Sequence, residues 1–551
     1  MYKLNSESQH FKRVQVIGYL LIFLAIAIGL ITRIIAVFQY VSFDIGQDPD
    51  QVRDAFVVIN MWQGDLPTLG SQVATIGRHH ILPLYYYLFF PFTILGADPV
   101  FQALPNALFS FLSIPLLIYL VYQLLEHIET PIRIFLSGLA GFWYSLLYGE
   151  IFISNFQWNP SSIPFFLLLF TLLYYLQMEG DFSLAVQMLL WVGYGVTLAI
   201  LVSLHSSTLF VLPIVFMISC GVFIYQVVKQ KRYLLISLPI VSILSAILAL
   251  TPYWIGEFSR GFQNTKSIFK TIVTNDSQAG NSFLMNLGKK ISNLFLNYFK
   301  LFQEAYLWNH SWIALVVSVI FLAIITYWGI TKFKGNKYIW CIWLSTWGIY
   351  LYAASNLDSE TTVFHYKLLI IFAPIILTIT SLAYLNLSKQ KNLIFYVITG
   401  MIITYSCLSN LFYDYQFMLS KYGNNRLINT ADITKIINQL PDGAVICDPR
   451  VRGKRIANNQ YKYIDTNITH KNISVVNVCV SGNYVIHPQR LLLIDGTILN
   501  DPSYEKITYV KFTPPEPVKL WPIFEIVQNR AIARPAKLVF TTDTANVYLL
   551  N

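Results

Sequence analysis

Residues Val14–Phe38 read VQVIGYLLIFLAIAIGLITRIIAVF, and this run decides the fold class. A bilayer core about 30 Å thick is crossed by about 20 apolar residues in a helix, and the run is longer than that. It is also too long for a signal-peptide core and ends without a small-residue cleavage pattern. It therefore predicts a retained transmembrane helix, and similar runs recur as far as Leu411.

Composition agrees. The chain of 551 residues is 55% hydrophobic, 16% aromatic and 12% charged, too little polar surface for a set of soluble domains. The apolar runs predict eleven spans: Val14–Phe38, Phe101–Leu125, Ile134–Tyr148, Ile163–Gln177, Leu184–Leu204, Leu209–Val228, Tyr233–Trp254, Trp312–Ile330, Tyr338–Ala354, Phe364–Leu385 and Leu393–Leu411. The segment His80–Leu95 is apolar but short, proline-interrupted and tyrosine-rich, and suits an interfacial helix.

Cytoplasmic loops retain lysine and arginine. With the N-terminus inside, the inner segments hold Lys12 and Arg13, Arg133, Lys229, Lys231 and Arg232, Lys332, Lys334 and Lys337, and Lys389 and Lys391. The acidic connection Glu179–Asp181 runs against this trend. The expected arrangement is a multi-pass protein of the plasma (inner) membrane, N-terminus cytoplasmic and C-terminus outside. Three long polar segments, Gln39–Val100, Ile255–Ser311 and everything after Asn410, then share the outer side. Loop mass on one face suits an enzyme working there. The net charge of +10 reads as loops facing anionic lipid, with no nucleic-acid partner expected. No zinc-finger spacing, glycine-rich phosphate loop or GxSxG elbow appears.

Beyond Tyr413 the composition turns polar, with short β-branched runs at Ala444–Cys447, Ile473–Val480, Tyr484–Ile486, Leu491–Leu493, Ile507–Phe512, Lys537–Phe540 and Val547–Leu550. These predict strands. Thr430–Leu440 predicts a helix opened by a Thr or Asp cap. The organisation expected is a transmembrane catalytic domain over residues 1–412, with a large first outer loop at 39–100. An extracytoplasmic α/β or α+β domain over 413–551 follows. Cys220, Cys341 and Cys407 fall in membrane helices as packing residues, whereas Cys447 and Cys479 lie outside, where a disulfide is chemically allowed.

The chemistry is concentrated in the first outer loop, Ser42-Phe-Asp-Ile-Gly-Gln-Asp-Pro-Asp-Gln-Val-Arg-Asp-Ala55. Asp44, Asp48, Asp50 and Asp54 follow directly on the first helix. Carboxylates at a low-dielectric boundary are costly unless paired or useful. One within hydrogen-bond reach of an acceptor hydroxyl takes its proton as a C–O bond forms. On spacing alone, a cap for a helix over Arg53–Gln63 is the favoured reading of Asp48 or Asp50.

The order of a first helix, Asp-Gln-x-Arg-Asp-Ala at Asp50–Ala55, an interfacial Leu82-Pro-Leu-Tyr-Tyr-Tyr87 and a helix opening with Asp98-Pro99 resembles the GT-C fold. The resembling branch holds the lipid A aminoarabinose transferases and the protein O-mannosyltransferases. The resemblance covers roughly Val14–Leu411. It implies that Asp50, matching the family's Asp-Glu-x-Arg acid, is the catalytic base, with Gln51 where Glu is common. It makes Asp48 and Glu150 further catalytic candidates. Glu150 precedes Ser154-Asn-Phe-Gln-Trp-Asn-Pro160, in which Asn155 and Asn159 occupy positions that are often charged. Trp158 and Asn159, with His80 at the head of the interfacial segment, are candidate sugar or acceptor contacts, although Trp158 equally suits a belt aromatic. His205, His365 and Lys367, with Arg53, are candidate ligands of the donor phosphate. The alternatives are a structural histidine at His205 and interfacial snorkelling at His365 and Lys367.

The implied reaction is an inverting displacement on a polyprenyl-phosphate sugar, with Asp50 deprotonating an acceptor hydroxyl and the basic residues holding the leaving phosphate. Its partners are that lipid-linked donor, membrane lipid and an acceptor that is a glycan, a lipid or a protein. No cofactor is demanded. The carboxylates are plentiful enough for a divalent cation, but no ligand spacing requires a metal. The competing readings are a carrier or flippase for a lipid-linked glycan and a purely structural or partner-binding membrane protein. The acidic first loop is what the last leaves unexplained.

Overall fold

The structure is a computed structural model that describes residues 2–40, 50–73, 79–155, 157–274, 290, 292–293, 296, 298–307, 312–331, 335–354, 364–384, 390–419, 430–447, 460–476, 484–488, 491–492, 498–499, 506–507, 534–541 and 545–550. It is a polytopic α-helical membrane protein. Among the described residues seven helices are long and apolar enough to cross a membrane, and ten spans result if each of three bent helix pairs counts as one. Every one of the eleven expected segments is largely helical. The ninth, seen as the helix Lys337–Ala354, falls outside the ten because tryptophan and tyrosine replace much of its aliphatic content. The bends also separate expectation from structure. Thr130–Ser145 turns by 58° into Tyr148–Ser154, and the Tyr233–Ala249 stretch turns by 61° into Thr251–Ser259. Leu84–Leu95 is a short apolar helical segment, as the sequence pattern implied.

The helices bury their polar side chains and turn aliphatic ones outward, the reverse of a soluble bundle. Phe23, Leu189, Met217 and Leu248 are exposed, whereas Thr171, Ser203, Ser318 and Thr378 are buried. Each of these hydroxyls donates to the carbonyl four residues earlier, so none of these four is left unpaired in an apolar medium.

In chain order the elements that position the site are α1 (Tyr2–Gly29), α2 (Ala36–Tyr40), α3 (Asp50–Asn60), α4 (Leu84–Phe89), α5 (Pro99–Leu124), α6 (Thr130–Ser145), α7 (Tyr148–Ser154), α8 (Ile163–Glu179), α9 (Leu184–Leu204) and α10 (Ser206–Lys229). Between α1 and α2 the chain forms a π-helical turn, Leu30–Ile35. Helices α1 and α6 touch through glycines: a Cβ on Gly138 would stand 2.6 Å from the Gly18 carbonyl oxygen. Small residues allow such backbone approach where no hydrophobic force separates lipid from helix. Asp98 caps α5 by accepting from the Val100 N–H at 2.9 Å, as its Asp-Pro sequence predicts.

Two sets of hydrogen bonds tie the opposite ends of the bundle. At one end Asn336 donates its N–H to Leu124 and its amide to Glu179. At the other, Asn159 donates to the Leu204 carbonyl and Asn264 brackets the backbone of His80. The first loop therefore shares an end with the α9–α10 junction.

Among the described residues the C-terminal segment contains the helix Thr430–Gln439 and eight strands, six of them in one sheet of order β2-β1-β3-β8-β7-β6. Here β1 is Val445–Cys447, β2 Ser474–Val476, β3 Tyr484–Pro488, β6 Lys506–Ile507, β7 Arg534–Thr541 and β8 Ala545–Leu550. Strand β1 runs parallel to β2 and β3, and the remaining pairs are antiparallel. Ile433, Ile436, Ile437 and Tyr461 form one buried cluster with Val52 and Ala55 of α3. Tyr463 seals that contact: its hydroxyl donates to the Ala97 carbonyl at 2.8 Å, accepts from Gln102 at 2.8 Å, and its ring meets Phe56 edge-on. The side chains of Cys447 and Cys479 lie outside the described residues.

Candidate functional site

Helix α3 is amphipathic and uses two faces. Val52 and Ala55 pack against the C-terminal segment, and Asp54 and Val58 are buried against the rest of the loop. Asp50 opens the helix, one turn before Asp54 and on the same side of it. The side chain of Asp50, together with Asp44 and Asp48, lies outside the described residues. Asp54 is 1% exposed and is bound from three directions. Arg53 Nε and Nη2 lie 2.9 and 2.8 Å from its Oδ1, Tyr86 donates to the same oxygen at 2.9 Å, and Ser71 approaches Oδ2 at 3.5 Å. Burial, with the Asp54 charge second, pushes the phenols of Tyr85 and Tyr86 well up, so both stay protonated donors.

The loop returns through a short antiparallel contact between Gln72 and His80. His80 is held on both sides: its N–H donates to Asn264 Oδ1 at 2.7 Å, and its Nδ1 pairs with the Gly70 carbonyl at 2.9 Å. Its neighbour His79 is buried and meets Phe210 of α10 edge-on at 5.9 Å. The first loop thus reaches the helix that His205 opens.

His205 interrupts α9 and α10 in extended conformation and caps α10. A backbone N–H only donates, so Nδ1, which receives the Ser207 N–H at 3.1 Å, is an acceptor and the ring proton sits on Nε2. Burial pushes His205 down to about 4. At neutral pH it offers an N–H and no charge. Asn159, by binding the Leu204 carbonyl, holds the Trp158–Asn159 turn beside this junction. Asn106 fixes the same turn by donating to the Trp158 carbonyl at 2.9 Å.

Lys367 lies in the 3-10 helix Phe364–Ile370, which packs against the Asn159–Ser162 turn and α10. Its ammonium is fully buried and pairs with Glu304 at 2.5 Å. Glu304 belongs to a π-helical turn, Phe302–Leu307, which the sequence pattern did not reveal. The side chain of His365 lies outside the described residues.

Glu150 stands in a different setting. Its Oε2 accepts from Tyr144 at 3.0 Å, and it lies within electrostatic reach of Arg33. Arg33 sits in the π-helical turn after α1 and donates to Ser110 Oγ at 2.8 Å and the Ser145 carbonyl at 3.0 Å. Asp414 also faces Arg33. Glu150 therefore belongs to a buried charge cluster around Arg33. The one sequence signal for that cluster was an arginine inside an apolar run.

The acid-bearing first loop, the Trp158–Asn159 turn, the His205 junction and the Lys367 segment thus converge at one end of the bundle. That end holds the buried Asp54 carboxylate with Arg53, the neutral N–H of His205 and the buried Lys367 ammonium. Among the described residues no three His, Cys, Asp or Glu side chains gather to hold a metal ion.

No family model matches the chain, and no curated protein matches its sequence. Solved structures do. One is ArnT from Cupriavidus metallidurans bound to undecaprenyl phosphate, 10% identical, covering 96% of this chain and 97% of that one with a TM-score of 0.49. Another is the archaeal oligosaccharyltransferase AglB from Archaeoglobus fulgidus, in complex with an inhibitory peptide and a dolichol-phosphate. It is 14% identical and covers 85% of this chain and 69% of that one, with a TM-score of 0.44. Neither likeness assigns a role to any residue of this chain.

Proposed function

We propose that this chain is a membrane glycosyltransferase that moves a sugar from a polyprenyl-phosphate donor to an acceptor hydroxyl at the outer face, with inversion. The acceptor oxygen attacks the anomeric carbon, the bond from that carbon to the phosphate oxygen breaks, and the phosphate leaves with the electron pair. Asp50 takes the acceptor proton. Arg53 and Lys367 supply positive charge to the departing phosphate, and His205 supplies a neutral N–H. Asp54 is a positioning residue that aims Arg53.

The observation that carries this reading is the Arg53–Asp54–Tyr86 group on a loop that packs, through His79, against the helix capped by His205. The carrier reading draws support from the buried Arg33, Glu150 and Asp414, since ionisable groups inside membranes often mark transport routes. Arg33, however, sits in the turn that leads into the first loop, away from the middle of its span.

The test is turnover of radiolabelled polyprenyl-phosphate sugars by the purified chain in the presence of membrane extract. Asp50→Asn should lower turnover about a hundredfold to ten-thousandfold, the usual worth of a general base, with donor binding retained. Normal turnover in this variant would remove Asp50 from the mechanism.

A further inference from the structure

We propose that Tyr85 and Gln157 read the hydroxyl groups of the donor's sugar, an inference that rests on the transferase reading above. Tyr85 lies on α4 and is 0% exposed, and Gln157, in the turn after α7, is 3% exposed. Among the described residues the Tyr85 hydroxyl and both amide atoms of Gln157 have no hydrogen-bond partner. The two side chains nevertheless lie within reach of each other.

Buried donors and acceptors are nearly always paired, and a contact between the phenol and the amide satisfies at most one end of that amide, so the pair calls for a polar occupant. The surroundings make the contrast plain. Tyr86, next in sequence, gives its hydroxyl to Asp54, and Asn106 and Asn159 both donate to backbone carbonyls.

The chemistry of the occupant follows from what is offered. The amide donates through Nε2 and accepts through Oε1, and the phenol, kept protonated by burial beside Asp54, does both. Neither residue is charged, and the nearby Asp54 carboxylate is already paired with Arg53, so the pair itself offers an anion no net charge. A neutral group with adjacent hydroxyls, each both donor and acceptor, meets those terms, and a phosphate does not. Tyr85 is also fixed by its ring contacts with Phe89 at 4.6 Å and Tyr86 at 5.3 Å, so little ordering is needed on binding.

The experiment measures binding of the full chain in nanodiscs to undecaprenyl phosphate and to undecaprenyl phosphates bearing glucose, galactose, mannose or arabinose. Wild type should bind at least one sugar-bearing lipid more tightly than the bare lipid. Tyr85→Phe and Gln157→Leu should each lose about threefold to tenfold of that preference, the worth of a neutral hydrogen bond, with bare-lipid affinity unchanged. Both should melt no lower than wild type, because each removes an unsatisfied polar group. If Gln157→Leu fails to fold, Tyr85→Phe and Gln157→Glu carry the measurement. Sugar preference intact in the variants would mean the pair holds only water, and equal loss for the bare lipid would mean it serves the phosphate. Either result overturns the inference. So does a wild type that binds the bare lipid but prefers no sugar, which leaves the lipid part of the functional reading standing. A wild type that binds none of these lipids overturns that reading as well.

Discussion

Tyr86 donates its hydroxyl to Asp54 Oδ1 at 2.9 Å, so the acid four residues after Asp50 is already engaged inside the fold. Asp54→Asn should therefore act on stability. It removes the charge from a buried oxygen that Arg53 and Tyr86 both address, and the partial exposure of Arg53 softens the loss to about 1–3 kcal/mol. A thermal melt in detergent should fall for Asp54→Asn and stay at the wild-type value for Asp50→Asn. The reverse pattern would exchange the roles of the two acids.

Lys367 and Glu304 form a pair in which the cation is the more buried partner. Lys367→Met should weaken donor binding by roughly 1.5–3 kcal/mol, the worth of a charge-assisted hydrogen bond. Glu304→Gln alone leaves a buried ammonium without its counter-charge and should lower the melting temperature. Lys367→Met combined with Glu304→Gln should recover stability but not donor binding. Recovery of both would reduce the pair to a structural one.

His205 gives a pH dependence whose sign is fixed by its direction. The folded value, about 4, lies below the ordinary 6.5, so between those values the unfolded chain binds more protons. Stability then rises with pH across that window. The contribution is fully present above 6.5 and is lost as pH falls toward 4, on the order of 3 kcal/mol in all. His205→Asn, which keeps a capping side chain, should flatten the melting temperature between pH 6.5 and 4.5. An unchanged slope would point to another group.

Orientation is tested by single cysteines at Gln63, Gly280 and Gly482, which should react with an impermeant thiol reagent in intact cells. A cysteine at Lys334 should not. Labelling at Lys334 alone would invert the topology and move the proposed site to the cytoplasmic face.

What the sequence by itself determined is what short range controls. Bilayer thickness selects apolar runs by length, so all eleven expected segments appear as helices, and a proline-interrupted tyrosine cluster becomes the short Leu84–Leu95 segment. Asp98-Pro99 starts α5 for reasons contained within three residues. Tertiary structure alone decided which charges are buried and with whom. Four aspartates of the first loop look alike in sequence, and the partners of Asp54, namely Arg53, Ser71 and Tyr86, appear only in the fold. Glu150 read as a further catalytic candidate, and the fold adds that it sits near Arg33; Lys367 read as a ligand of the donor phosphate, and the fold adds Glu304 beside it. The same holds for the C-terminal segment, which buttresses α3 through Tyr463 across hundreds of residues. A buried charge is stable only against partners that distant parts of the chain supply, and no local pattern encodes that meeting.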